Sequence, residues 1–196
     1  MISVRNKKSL LFISMLLVGA LVLSACGKDV PNDLDWKVQD FAYTDQNGKE
    51  LGLSDLKGKV WIADFIFTNC DTVCPPMTAN MAEIQQKLEE KGLDYEIVSF
   101  SVDPERDTPE ALTEFAGKFD ADLSSWHFLT GYKLDEIEEF AKNSFKAAVS
   151  ADPNSDQFLH GTSFYLVNKE GTVVKKYSGV SNVPTEEIVE DVAALQ

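Results

Sequence analysis

The sequence predicts an α/β fold in which a central mixed sheet is flanked by helices. Residues 60–67 form a nearly continuous apolar run of strand length, which is typical of a central strand buried on both faces. Apolar strands then alternate with helical segments, and the chain closes with a hairpin and a helix. The alternation requires parallel crossovers in the first half, whereas the short hairpin requires antiparallel pairing in the second.

Local patterns place the individual elements. The Asn47-Gly48 pair indicates an N-terminal β-hairpin, and apolar residues recur at helical spacing from Met77 to Leu88 before Gly92 ends that helix. In chain order the predicted elements are a hairpin at 41–53, a turn of helix at 54–58, a strand at 60–67, a helix at 75–91, a strand at 96–102, a helix at 108–119, a strand at 126–130, a helix at 134–145, hairpin strands at 163–168 and 172–177, and a helix at 185–194. In outline this is a thioredoxin-like layout, and the layout alone assigns no function.

The first residues have the pattern of a secretory signal. Basic residues precede an uncharged apolar run at 10–23, which is shorter than the roughly 20 apolar residues that a spanning helix needs. An uncleaved membrane anchor is the alternative. The sequence Leu-Ser-Ala-Cys at 23–26 is similar to a bacterial lipobox, which implies lipidation of Cys26 and cleavage just before it. The predicted organisation is therefore a lipoprotein signal peptide at 1–25, a tether at 26–35 and a thioredoxin-like domain at 36–196.

Charge and location follow from the same features. With 18 basic and 32 acidic residues the net charge is −14, which excludes clustered basic surfaces for nucleic acid or anionic lipid. Only the lipid on Cys26 would then hold the protein at a membrane. We expect a cell-membrane protein, lipid-anchored and facing the extracytoplasmic side, in a compartment that permits disulfides.

Cys70 and Cys74 lie just past the predicted central strand, at the start of a helix. Ligand sites of open α/β sheets lie outside the carboxyl ends of the strands. A spacing of four lets both sulfurs face one side, and a helix N-terminus stabilises a thiolate. Pro75 and Pro76 fit a helix start. The pair is thus suited to redox or soft-metal chemistry; a structural disulfide, which would close only a small loop, is the alternative.

The chain has two histidines that could complete a metal site. His127 lies inside a predicted strand, whereas His160 lies just before the strand that begins at Ser163. Loops at the active edge of a sheet bring side chains to a site more readily than strand interiors do. The sequence therefore favours His160, with a hydrogen-bonded structural role as the alternative.

Taken together, these residues resemble the Sco (Sco/SenC) family of copper-binding, thioredoxin-like proteins. The resemblance rests on the blocks at 67–75, 102–109 and 126–131 and on His160 ahead of Ser-Phe-Tyr-Leu at 163–166. It implies that Cys70, Cys74 and His160 bind one copper ion per chain, as Cu(I) or Cu(II). It also implies a role in assembling the CuA centre of cytochrome c oxidase subunit II.

Other acidic residues near these motifs are candidates for contacts to the site. Asp71 lies between the cysteines and Asp103 follows the second strand; either could orient a ligand or a partner, although a plain loop role explains them too. Asp107 and Thr108 fit a loop and a helix cap. At His160 the sequence departs from the Asp-His-Ser pattern of many family members, so the resemblance gives no hydrogen-bond partner for the imidazole.

Three functions follow from this reading. The first is a membrane-anchored metallochaperone, which favours a non-enzymatic role; its partners are oxidase subunit II, an extracytoplasmic thiol reductant and, through Cys26, the membrane, with no nucleic acid. The second is a thiol-disulfide oxidoreductase that reduces the cysteines of the CuA site through a redox-active Cys70–Cys74 dithiol. The third is a peroxide-reducing or redox-signalling enzyme. It ranks last because a peroxiredoxin has Thr three positions before its Cys, preceded by Pro, whereas here Thr68 stands two positions before Cys70 and no Pro precedes it nearby.

Overall fold

A computed structural model describes residues 34–196 of the chain. The signal segment, Cys26 and most of the predicted tether lie outside the described residues. Within 34–196 no helix is long and apolar enough to cross a membrane. The strands are β1 (Trp36–Lys37), β2 (Ala42–Thr44), β3 (Glu50–Gly52), β4 (Trp61–Ile66), β5 (Glu96–Ser101), β6 (Trp126–Leu129), β7 (Val149–Ala151), β8 (Phe158–His160), β9 (Ser163–Val167) and β10 (Thr172–Ser178). The helices are α1 (Cys74–Glu90), α2 (Pro109–Gly117), α3 (Leu134–Phe140), which continues as a π-helical turn (Ala141–Phe145), and α4 (Thr185–Ala194).

Six strands form one mixed sheet in the order β1-β10-β9-β4-β5-β6. Strand β4 lies inside this sheet, parallel to β5 and antiparallel to β9. In the register Ala63 lies opposite Val98 on one side and Tyr165 on the other. All six β4 residues are buried, as the apolar run predicted. The central mixed sheet is therefore confirmed, with parallel pairing before antiparallel pairing along the chain.

The two faces of the sheet carry different side chains because strand residues alternate in direction. Phe65 and Phe100 are register partners and stack with ring centroids 5.6 Å apart. Phe145 packs against both rings, at 5.5 and 5.9 Å. On the N-terminal hairpin, Phe41 packs edge-on against Phe100 at 5.4 Å. One face of β4 and β5 is therefore an aromatic core, and Asp64 lies on the other face.

Four elements differ from the sequence prediction, and one of them is the edge strand β1, which pairs with β10 and was not predicted. Residues 54–58 form turns instead of a helix, and residues 141–145 form a π-helical turn. The wider turn keeps Phe140 and Phe145, five positions apart, together against Phe100. The β7–β8 hairpin was not predicted, because its three-residue strands alternate too little for a periodicity to show.

Asp64 is a fully buried carboxyl group in the centre of the sheet. Burial is the main cause that raises the pKa of Asp64 from 3.8 to about 6, while the Ser99 hydroxyl and His160 oppose the shift. A charged carboxylate at this position costs folding free energy, since the unfolded chain ionises the same group in water.

We expect Asp64→Asn to stabilise the reduced protein more at high pH than at low pH. The folded state holds the Asp64 proton more tightly than the unfolded state, so the wild type loses stability as the pH rises from about 4 through about 6. The rise in pKa corresponds to about 3 kcal/mol, and this is the amount by which the benefit of Asn should grow between about pH 4 and pH 8. Urea unfolding at the two pH values measures it, with the exposed Glu114→Gln as control; a benefit independent of pH would contradict it.

Candidate metal centre

The two cysteines lie at the carboxyl end of β4, where the chain turns into α1. Cys74 is the first residue of the helix, and Cys70 lies in the preceding irregular loop. Pro75 and Pro76 follow directly and bring no N–H groups to the first turn. The Cys74 backbone N–H donates to Cys70 Sγ at 3.3 Å. The sulfurs therefore face each other although the segment between them is not helical, because one sulfur accepts from the first N–H of the helix.

His160 reaches the cysteines from the far end of the sequence. It ends β8, three residues before β9, and β9 runs antiparallel to β4. The start of β9 therefore lies beside the end of β4, and the segment before it arrives at the cysteine loop. His160 Nε2 lies 3.3 Å from Cys74 Sγ. The Phe67 ring packs edge-on against the His160 ring, with centroids 5.8 Å apart.

The hydrogen bonding of His160 leaves one nitrogen for the site. Nδ1 lies 3.1 Å from the Gly161 carbonyl oxygen. A carbonyl oxygen only accepts, so Nδ1 carries a proton in this contact and Nε2 is the nitrogen that faces Cys74. The contact supplies the hydrogen-bond partner that the departure from Asp-His-Ser left open.

Cys70, Cys74 and His160 offer three ligand atoms that lie within 4.8 Å of one another. Two ligands each about 2.3 Å from one ion lie at most about 4.6 Å apart, so a small contraction suffices to hold an ion. The thiols are buried and His160 is partly buried. Two sulfurs and an imidazole nitrogen suit a soft or borderline transition metal.

The two thiols share one proton unequally. A hydrogen bond from the Cys74 thiol is the main cause that lowers the pKa of Cys70 far below that of an ordinary thiol, and contacts from His160 add to this effect. The same bond and burial raise the pKa of Cys74 strongly, and the charge of Asp64 contributes. The site therefore holds a Cys70 thiolate beside a Cys74 thiol.

Of the two acidic candidates, Asp71 is exposed, and Asp103 is buried in an ion pair with Arg106 Nε at 2.6 Å. Burial raises the pKa of Asp103, and Arg106 opposes that rise. Their roles toward the site stay predictions. His127 lies away from the ligand group: its Nε2 contacts Glu96 Oε2 at 3.0 Å, at the start of β5.

Sequence reasoning missed two carboxyl groups beside the site. Asp107 accepts from the Thr68 backbone N–H and from Thr68 Oγ1 at 2.6 Å, and also from Ser101 Oγ at 2.5 Å. It thereby fixes the start of the cysteine loop, whereas Thr108 caps α2 as expected. The sequence could have indicated Asp64, because it is the one charged residue in the apolar run at 60–67.

Fold and site together define a thioredoxin-like α/β protein with a Cys-Cys-His group able to hold a metal ion. The SCO1/SenC family model matches residues 31–196, and the chain belongs to this family. The SCO1 protein homolog of Bacillus subtilis (strain 168) is 50% identical over 173 residues, which cover 88% of this chain and 90% of the relative.

Solved structures of family members share the fold. A SCO1/SenC family lipoprotein from Bacillus anthracis has a TM-score of 0.81 and 54% identity, covering 83% of this chain and 96% of its own. BsSco, described as a member of the Sco family of cytochrome c oxidase assembly proteins with a disulfide switch, has a TM-score of 0.77 and 51% identity over 83% and 94% of the two chains. Copper-bound ScoI of Bradyrhizobium japonicum has a TM-score of 0.70 and 26% identity over 82% and 99%. The predicted family and thioredoxin-like fold are confirmed.

We expect the ultraviolet absorbance of the reduced protein to show one thiolate at about pH 6, well below the ordinary thiol pKa of about 8.5. Cys70→Ala should remove this signal. Cys74→Ala should weaken it, because the hydrogen bond that lowers the pKa of Cys70 is lost. A pH titration of the absorbance in the three proteins measures the effect, and a signal that survives in Cys70→Ala would contradict the assignment.

Proposed function

We propose that this protein is a membrane-anchored copper chaperone that takes part in assembling the CuA centre of cytochrome c oxidase subunit II. The observation that carries the proposal is the convergence of Cys70 Sγ, Cys74 Sγ and a His160 nitrogen within 4.8 Å. Two relatives support the choice of metal and pathway: ScoI of Bradyrhizobium japonicum was solved with copper bound, and BsSco is described within a family of oxidase assembly proteins.

Copper is the cargo, and each ligand residue has a distinct part in holding it. Cys70 offers a thiolate at once, since its pKa is low. Cys74 must lose its proton before it binds, so uptake of the ion releases a proton. His160 offers Nε2 as the third ligand atom. Two thiolates neutralise Cu(II) and leave one negative charge on Cu(I), so the same three residues tolerate either valence.

The proposal places the protein on the extracytoplasmic face of the cell membrane, held by a lipid on Cys26. The basic, apolar and small-residue segments of 1–26 support this location. A relative from Bacillus anthracis is described as a family lipoprotein. The remaining partners are subunit II, which receives copper, and a thiol reductant that keeps Cys70 and Cys74 reduced.

The second candidate function is reduction of the cysteines of the CuA site. The observation that favours it is the opposite pKa shift of the two thiols, together with the disulfide switch described for BsSco. In this reaction the Cys70 thiolate attacks a sulfur of a target disulfide and displaces a thiolate. Cys74, after losing its proton, attacks Cys70 and releases the second target thiolate. The target gains two electrons, and an extracytoplasmic thiol must then reduce the Cys70–Cys74 disulfide.

His160→Ala should lower the copper affinity of the reduced protein by more than about 100-fold, because loss of a ligand costs more than loss of a group that only orients one. The matched control is His127→Ala, which removes the chain's other histidine away from the ligand group. Competition with a copper chelator of known affinity measures both variants.

Growth of a deletion strain separates the two functions. In the chaperone reading, His160→Ala fails to restore oxidase activity, whereas His127→Ala restores it. In the reductase reading, His160→Ala restores activity while Cys70→Ala and Cys74→Ala fail. Unchanged copper affinity in His160→Ala would also contradict the chaperone reading.

Cys26→Ala should abolish lipid attachment and, once the signal segment at 1–25 is removed, release the protein from the membrane fraction, because the acidic mature chain is repelled by an anionic surface. Metabolic labelling with a fatty acid and fractionation of cells measure the change, and the mass of the wild-type N-terminus locates the lipid. A labelled Cys26→Ala protein would refute the assignment of the lipid to this residue.

A further inference from the structure

The hairpin that carries His160 is not part of the six-stranded sheet. Strands β7 and β8 pair only with each other in a separate two-stranded sheet of the described residues. The pairing of β9 with β4 brings His160, three residues before β9, near the cysteines, but no strand pairing joins the hairpin itself to the central sheet. Side-chain contacts between the hairpin and the neighbouring loops therefore restrain the hairpin.

The apolar contacts of the hairpin include one with the Phe67 ring. Phe67, at the end of β4, packs edge-on against Phe158 with centroids 5.4 Å apart, and against the His160 ring. Val149 of β7 is also buried in the core. Such apolar contacts hold the hairpin on the sheet but resist sideways sliding weakly, since they are non-directional. A directional contact is needed to fix the hairpin laterally.

Directional polar contacts that restrain the hairpin laterally are made at Asp156, in the connection between β7 and β8. Arg106 Nη1 donates to Asp156 Oδ2 at 3.1 Å, and Nη2 donates to the Asp156 backbone carbonyl oxygen at 2.7 Å. Asn69, next to Cys70, donates from Nδ2 to the same Oδ2 at 3.0 Å. The neighbouring Gln157 donates from Nε2 to the Asn69 carbonyl oxygen at 3.0 Å. The connection is therefore bound to the cysteine loop through Asn69 and to the loop after β5 through Arg106.

Arg106 is itself held by the loop that follows β5. Its Nε pairs with the buried Asp103 at 2.6 Å, so all three guanidinium nitrogens are engaged. The three loops that meet here belong to β4, β5 and the β7–β8 hairpin. We call the group Asn69, Asp103, Arg106 and Asp156 the Arg106 clasp.

We propose that Arg106 is a positioning residue for the metal site, which holds the His160 hairpin against the cysteine loop through the Arg106 clasp. The inference rests on the proposed copper binding and adds a residue that touches none of the three ligands. It also gives Asp103 a part in the site, because Asp103 orients the guanidinium that reaches Asp156.

The planar fork of Arg is what this position requires. Arg106 Nε faces the Asp103 carboxylate in the loop after β5. The two Nη nitrogens donate to the side chain and to the backbone carbonyl oxygen of Asp156 in the hairpin. A Lys ammonium keeps the charge but cannot span three acceptors in a fixed plane. The Arg106 and Asp156 side chains are 43% and 66% exposed, so the ion pair between these two residues adds little to global stability. Its effect should fall on the position of His160.

The test compares Arg106→Gln with the wild type in the reduced, full chain. We expect the copper affinity to fall about tenfold, as for loss of a group that orients a ligand. The thiolate absorbance of Cys70 should not change, since the dithiol remains, whereas the urea midpoint should fall because the buried Asp103 loses its ion-pair partner. The nitrogen hyperfine splitting of bound Cu(II) in electron paramagnetic resonance should weaken or become heterogeneous. Arg106→Lys should recover only part of the affinity.

Two controls give the result its meaning. Lys118→Gln removes an equal charge from an exposed helical pair and should leave the affinity unchanged. In a His160→Ala background, Arg106→Gln should change the affinity less than about twofold, because a residue that acts through His160 has nothing left to position. Equal losses with and without His160 would overturn the inference, and so would an unchanged affinity in Arg106→Gln when His160→Ala lowers it.

Failure of the proposed function gives a different pattern. If His160→Ala and wild type bind copper equally, the three-ligand site is wrong and the positioning role falls with it. If His160 is required while Arg106 and Asp156→Asn variants behave as wild type, the copper site stands and only the clasp is refuted.

Discussion

The 3.3 Å contact between Cys74 Sγ and His160 Nε2 joins residues that are 86 positions apart, and the rest of the site depends on it. The antiparallel pairing of β9 with β4 makes the contact available. With Ala63 opposite Tyr165, the chain entering β9 must pass the carboxyl end of β4, where the cysteine loop begins. A parallel β9 would have entered the sheet at the opposite edge. The sheet topology brings His160 near the cysteine loop, and side-chain contacts determine its final position.

Negative charge is concentrated beneath this contact. The Cys70 thiolate is buried within a loop whose neighbouring residues are exposed, and Asp64 lies fully buried in β4 and raises the pKa of Cys74. In a medium of low dielectric constant such groups oppose each other's ionisation, and a bound cation reverses that opposition. The burial that makes Asp64 costly for folding therefore favours a positively charged cargo. A proton and a metal ion therefore compete for the Cys74 sulfur.

Sequence reasoning reached the parts of the site that are local and missed those that are not. Cys70, Cys74 and the helix start lie within a few residues of one another, so spacing and prolines were enough. His160 needed both its place before a strand and a family resemblance. The Arg106 clasp joins residues 50 and 87 positions apart with no periodicity to reveal it. The β7–β8 hairpin was missed for a related reason, because its stability comes from packing on Phe67 and from polar contacts to other loops.

Copper binding and disulfide chemistry use the same two sulfurs and exclude each other at any moment. A disulfide between Cys70 and Cys74 would remove both thiolate ligands, so the redox state of the pair governs whether the cargo stays. His160 faces both chemistries from the same position. Its Nε2, 3.3 Å from Cys74 Sγ, can complete a metal site, and its hydrogen bonding lowers the pKa of the Cys70 thiol that would begin an exchange. Loss of the imidazole removes a ligand from the ion, whereas it leaves both sulfurs in place for exchange.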